Sequence, residues 1–153
     1  MLTALLFTLF VAQDPHQAMN DRGAMAMGFD QHATTHHFYL YGDGGTISIG
    51  ANDPSDTKNR DAIRSHLPHI TVLFGNGDFD VPMLVHDSAN VPGTKVMAAR
   101  KQKITYRYVE TPSGGRVDIV TSDKEALAAV HDFLKYQIKE HQTGDPLTAS
   151  KRK

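Results

Sequence analysis

A strand-strand-helix pattern that occurs twice constrains this chain more than any other feature. The first copy opens with Thr34-Thr-His-His-Phe-Tyr-Leu-Tyr41, turns at Gly42-Asp-Gly-Gly45 and continues in the alternating run Thr46-Ile-Ser-Ile-Gly50. Asn52-Asp-Pro54 follows as a helix start, and the helix runs to about Phe74. The second copy opens with Ile104-Thr-Tyr-Arg-Tyr-Val-Glu110, turns at Pro112-Ser-Gly-Gly115 and continues in Arg116-Val-Asp-Ile-Val120. Ser122-Asp-Lys-Glu125 starts a helix that runs to about His141. Each copy ends on Gly-Asp, at Gly77-Asp78 and Gly144-Asp145.

Alternation over four to eight residues marks a half-buried strand. The glycine pairs are expected to supply the positive φ of a tight hairpin. Asn52 or Asp53, and Ser122 with Glu125, are expected to cap helix N-termini, with Pro54 in the first turn. One hairpin and one helix bury little alone. Joining two hairpins gives an α+β fold with a duplicated ββα–ββα unit. Its four-stranded antiparallel sheet carries two helices packed on one face. Val81-Pro-Met-Leu-Val-His86 is expected to add a fifth, edge strand, where Pro82 is tolerated. Asn90-Val-Pro-Gly93 reads as a turn and Thr94 to Lys101 as a short helix.

Residues 1–12 read MLTALLFTLFVA, an apolar run of signal-peptide length and too short to span a bilayer. Export to the periplasm or beyond is therefore expected, with no integral membrane segment after signal removal. Residues 13–32 are polar and irregular and read as a flexible linker. Residues 33–145 form the single α+β domain, and 146–153 read as a disordered tail.

Lys plus Arg number 16 and Asp plus Glu 17, so no basic excess exists to hold nucleic acid. Cysteine is absent, which excludes disulfides, thiolate metal sites and c-type haem attachment. No Walker loop and no GxGxxG after a strand occurs, so no nucleotide cofactor is expected. HExxH and GxSxG are missing as well.

Nine histidines stand out in 153 residues. On the first helix, Ile63, Leu67, Ile70 and Phe74 make the buried stripe. His66 flanks it, and His66-x-x-His69 has the i, i+3 spacing of a chelating pair. Pro68 between them is expected to kink the helix. On the first strand, His36 groups with Phe38 and Leu40 and points inward, while His37 groups with Tyr39 and Tyr41. On the last helix, Leu127, Val130, Leu134 and Ile138 form the stripe, with His131 and His141 in its arc. His86 closes the expected edge strand. His16 and His32 read as solvated.

A sheet under two helices brings His36, His66 and His131 toward one interlayer space. Neutral imidazoles there suit copper or zinc, with His37, His69 and His86 as further candidate ligands. Two other readings stand beside metal binding. One is an envelope-associated interaction module that uses exposed aromatic strand faces. The other is a small hydrolase or isomerase with a histidine general base. An unpaired sheet edge would favour a homodimer.

Met27-Gly-Phe-Asp-Gln31, Thr34-Thr-His-His-Phe38, Arg64-Ser-His-Leu-Pro-His-Ile70, Gly77-Asp-Phe79 and His131-Asp-Phe-Leu134 resemble motifs of a group of small exported bacterial proteins of unassigned function. The likeness runs from about Gly23 to Pro146. It implies export and a compact domain, and it implies no reaction. An aspartate carbamoyltransferase label borne by some members of that group does not carry over. Such enzymes need two larger α/β domains and a carbamoyl-phosphate loop, and neither is present here.

Overall fold

The computed structural model describes residues 14–152. The expected signal segment lies outside the described residues. Strands β1 (Thr34–Tyr41), β2 (Gly44–Ala51), β3 (Ile104–Thr111) and β4 (Gly114–Thr121) form one antiparallel sheet in the order β1-β2-β4-β3. The two hairpins therefore meet through β2 and β4. Helices α2 (Thr57–Gly75) and α5 (Lys124–Glu140) cover one face of that sheet. The fold is α+β.

The helices cross over. Helix α2 follows the first hairpin but lies mainly on β3 and β4, and α5 follows the second hairpin but lies mainly on β1 and β2. Each hairpin's apolar face is thus sealed by the other half's helix. In α2 the expected stripe of Ile63, Leu67, Ile70 and Phe74 is buried, and the helix continues through Pro68. In α5 the buried side is rotated from the expected one: Ala126, Ala129, Val130, Phe133, Leu134, Gln137 and Ile138 face inward.

Caps differ from expectation in position. Asp56, not Asn52 or Asp53, caps α2 through Asn59 N, because the chain first makes an extra turn held by Asp53 and Ser55. Asp123, not Ser122, caps α5 by accepting from Glu125 N and Ala126 N. The glycine pairs serve close packing more than turn geometry. Only Gly44 among them has positive φ, at 142°. A Cβ on Gly45 would stand 2.2 Å from Leu134 Cδ1, and one on Gly114 would stand 2.4 Å from Ile49 O.

Three segments differ from the sequence reading in kind. Residues 15–27, expected as a flexible linker, form helix α1 (Pro15–Met27), capped by Asp14 at its start and by Gly28 at its end. Residues 81–86, expected as an edge strand, lie in helix α3 (Asp80–His86), so the sheet has four strands among the described residues. Pro82 sits in that helix's first turn, where no N–H is required. Arg22 Nε donates to Val85 O at 2.9 Å and ties α1 to α3. Helix α4 (Thr94–Ala99) is the expected short helix and packs on α5.

The third segment is the C-terminal tail, which lies against β1 instead of fraying. The Asp145 carboxylate accepts from Phe38 N at 2.9 Å, and Ser150 N donates to Leu40 O at 2.9 Å. Arg152 then stacks over Tyr41 at 4.5 Å on the outer face of the sheet. Among the described residues no helix is long and apolar enough to cross a membrane.

Candidate functional site

Between the sheet and the helices lies a cavity walled by α1, β1, β2, α2, α3 and α5. Its lining is mostly apolar, from Met27, Phe38, Ile47, Ile49, Leu67, Ile70, Phe74, Val81, Val85 and Phe133. Five polar residues join them: His36, His66, His86, His141 and Gln137. No Lys, Arg, Asp or Glu lines it among the described residues. About 60 Å³ is open to the centres of water-sized molecules, against the ~10–15 Å³ that one water needs. The cavity is thus roomy enough for several waters or a ligand of a few heavy atoms, and it is partly open to solvent.

Each polar residue reaches the cavity for a local reason. Strand alternation turns His36 inward with Phe38 and Leu40, as the sequence implies. His66 sits beside Leu67 on α2 and meets the Phe29 ring edge-on at 5.8 Å. His86 ends α3 and meets Tyr136 edge-on at 5.0 Å. His141 terminates α5. It stacks on His36 at 5.2 Å with 16° between the rings and meets His86 edge-on at 5.1 Å. Gln137 lies one turn before His141, 5% exposed.

Hydrogen bonding within this wall is incomplete. His86 Nε2 and Gln137 Oε1 are 2.9 Å apart. With the amide oxygen on the His86 side, His86 donates from Nε2 and its Nδ1 is a bare acceptor. That Nδ1, the Gln137 amide nitrogen and His36 Nε2 are buried with no hydrogen-bond partner in the protein. Two other such atoms, the hydroxyls of Tyr106 and Tyr108, lie outside the cavity lining.

Burial also fixes the charge of the wall. It pushes the His36 pKa down to about 4, with smaller contributions from His66 and His37. It takes His66 to about 4, helped by His69. His141 falls to about 2, through burial and then through His36, His86 and His16. Burial lowers His86 as well, against the Gln137 hydrogen bond. The imidazoles of the wall are therefore neutral at pH 7.

The candidate ligands from sequence divide. His36, His66 and His86 line the cavity. His131 does not: the rotation of α5 aims its Nε2 at the first hairpin's end, where it donates to Tyr41 O at 2.8 Å and Gly44 O at 3.1 Å. His37 points to the outer face, with Nδ1 3.0 Å from the Asp145 carboxylate. His69 is exposed on the far side of α2, so the i, i+3 pair is split between solvent and cavity. His16, expected to be solvated, is half-buried on α1 beside His141 and Gln142. Sequence reasoning missed Gln137 altogether. Its signal was a polar residue flanked by the stripe residues Leu134 and Ile138.

Among the described residues no three His, Asp or Glu side chains stand so that they could hold a metal ion. His36 and His141 stack with 16° between their rings, so their ring nitrogens do not aim at one point. Compared with protein-family models, curated proteins and solved structures, the chain matches none.

Proposed function

We propose that this protein binds a small molecule in the histidine-lined cavity. One observation carries the reading: three buried polar atoms without partners, on His36, His86 and Gln137, belong to the same apolar wall. Leaving such atoms unpaired costs free energy, and native structures seldom do it without a reason. An apolar enclosure with a few convergent polar groups is the ordinary form of a small-molecule site. The low imidazole pKa values favour binding over proton transfer, since a general base works best with a pKa near the working pH. The test is a fragment screen read by amide and methyl NMR shifts. Binding fragments should move signals of Ile47, Val85, Phe133 and Gln137 together. Fragments that move only surface signals would sink the reading.

A second reading, a copper or zinc ion on His36, His86 and His141, is favoured by the succession of three rings at 5.2 and 5.1 Å. His86 has the tautomer of a metal ligand, its second nitrogen already donating to an amide oxygen. The His141 ring would have to turn out of its stack for the nitrogens to converge. Titration with Cu²⁺ and Zn²⁺ separates the two readings. Stoichiometric binding that His141→Ala abolishes supports the ion. Binding unchanged in that variant removes it.

A further inference from the structure

We propose that the molecule taken into this cavity is uncharged and carries a carbonyl oxygen, which the side-chain amide of Gln137 receives. The inference rests on the small-molecule reading above and names the chemistry of its ligand. Gln137 is 5% exposed, and its oxygen is committed to His86 Nε2–H at 2.9 Å. Its amide nitrogen keeps two N–H donors with no acceptor in the protein. A leucine or methionine would fill the same place on α5 without that penalty. An acceptor oxygen relieves it once the buried amide turns toward the void, and in an apolar, half-enclosed space such a bond counts for more than in water.

The wall also excludes charged ligands. It holds no Lys, Arg, Asp or Glu among the described residues, and its imidazoles are neutral at pH 7. A carboxylate or ammonium would lose its hydration and gain no counter-charge. Room for several waters matches the head of a ketone, aldehyde, ester or amide with a short apolar body, and Phe133, Ile49 and Val85 would enclose that body.

The experiment compares acetone, its hydrocarbon isostere isobutene and the anion acetate, by NMR titration of the whole protein at pH 7. Gln137→Leu removes both the oxygen that His86 uses and the free donor, and fills the place with apolar volume. Gln137→Met removes both as well. Circular dichroism confirms that each variant is folded, and either folded variant suffices. The ratio of ketone to hydrocarbon affinity should be about tenfold higher in the wild type than in the variants, the scale of one buried hydrogen bond, because the ketone's cost of leaving water is the same for every variant and cancels. The wild type should bind acetate at least about tenfold more weakly than the ketone. The variants should keep the wild type's hydrocarbon affinity within about twofold. A ketone-to-hydrocarbon ratio that is the same in the wild type and the variants overturns the carbonyl anchor and leaves the cavity reading standing. No response to any probe overturns both.

Discussion

A neutral imidazole in an apolar wall is stable only while it stays neutral. His36, His66 and His141 have folded pKa values of about 4, 4 and 2, against 6.5 in the unfolded chain. Below pH 6.5 the unfolded chain takes up protons that the folded chain refuses, so stability is full above that pH and falls as pH drops toward the folded values. At pH 5 each site costs about 2 kcal/mol, from ~1.36 kcal/mol per pH unit over 1.5 units. Three such sites rival the whole stability of an ordinary domain. Acid unfolding followed by circular dichroism should therefore centre between pH 4 and 6. His141→Phe keeps the aromatic contact with His36 and Phe38 and should lower that midpoint by several tenths of a pH unit. An unchanged midpoint would mean that carboxylates, not these histidines, set acid stability. At this scale the sequence was legible where backbone periodicity alone decides direction. Strand alternation separates inward His36 from outward His37. It was illegible where a helix's rotation decides. Leu127 suggested one stripe on α5, while Ala126, Phe133 and Gln137 define another, and that difference moves His131 from the cavity to the hairpin.

Elements form here for reasons that single substitutions can isolate. Asp123 caps α5 with two backbone bonds and also receives Arg100 at 2.8 Å. Asp123→Ala should cost about 1–2 kcal/mol. Asp123→Ser, which keeps a capping oxygen, should recover most of it. Chemical denaturation with an unchanged m-value is the measurement, and equal losses in the two variants would show that Arg100 matters more than the cap. Gly45→Ala tests packing. Its Cβ would stand 2.2 Å from Leu134 Cδ1 and 2.5 Å from Tyr39 O. The backbone oxygen cannot yield as a side chain can, so the loss should reach about 1–3 kcal/mol or more. Strands β1 to β4 and helices α2 and α5 were readable because each carries its own periodic signal, of two or 3.6 residues. Helices α1 and α3 were not. Val81 to His86 is a short apolar run, and periodicity cannot tell a short buried strand from a short buried helix. Helix α1 has no apolar stripe, with Met19 and Gly23 buried and Met25 87% exposed, and it holds its place through α3.

At the scale of the molecule, the crossing of α2 and α5 makes the two halves mutually dependent. Neither hairpin keeps its apolar face covered without the other's helix, so unfolding should be one cooperative transition. The sheet has two edges, β1 and β3, and the tail closes the first. Asp145 engages Phe38 N, Ser150 engages Leu40 O, and Arg152 reaches Gly45 O and Ile119 O on the outer face. Arg152 also joins Arg107 and Arg116 around Asp118, which is 5% exposed at its side chain. Burial opposes the Asp118 charge, but the hydrogen bonds from Thr46 and Arg107 and the charges of Arg116 and Arg152 outweigh it and hold the carboxyl below its usual range. The tail thus masks an edge that would otherwise offer Phe38 N and Leu40 O to another strand. Ending the chain after Thr143 should leave the protein folded and make it self-associate. Sedimentation velocity should then show dimers or larger species whose fraction rises with concentration, while the full chain shows less association at every concentration. Arg152→Ala leaves the edge bonds in place and should not associate. A truncated protein that sediments as the full chain does would show that the tail's bonds to β1 are incidental to how this sheet avoids pairing.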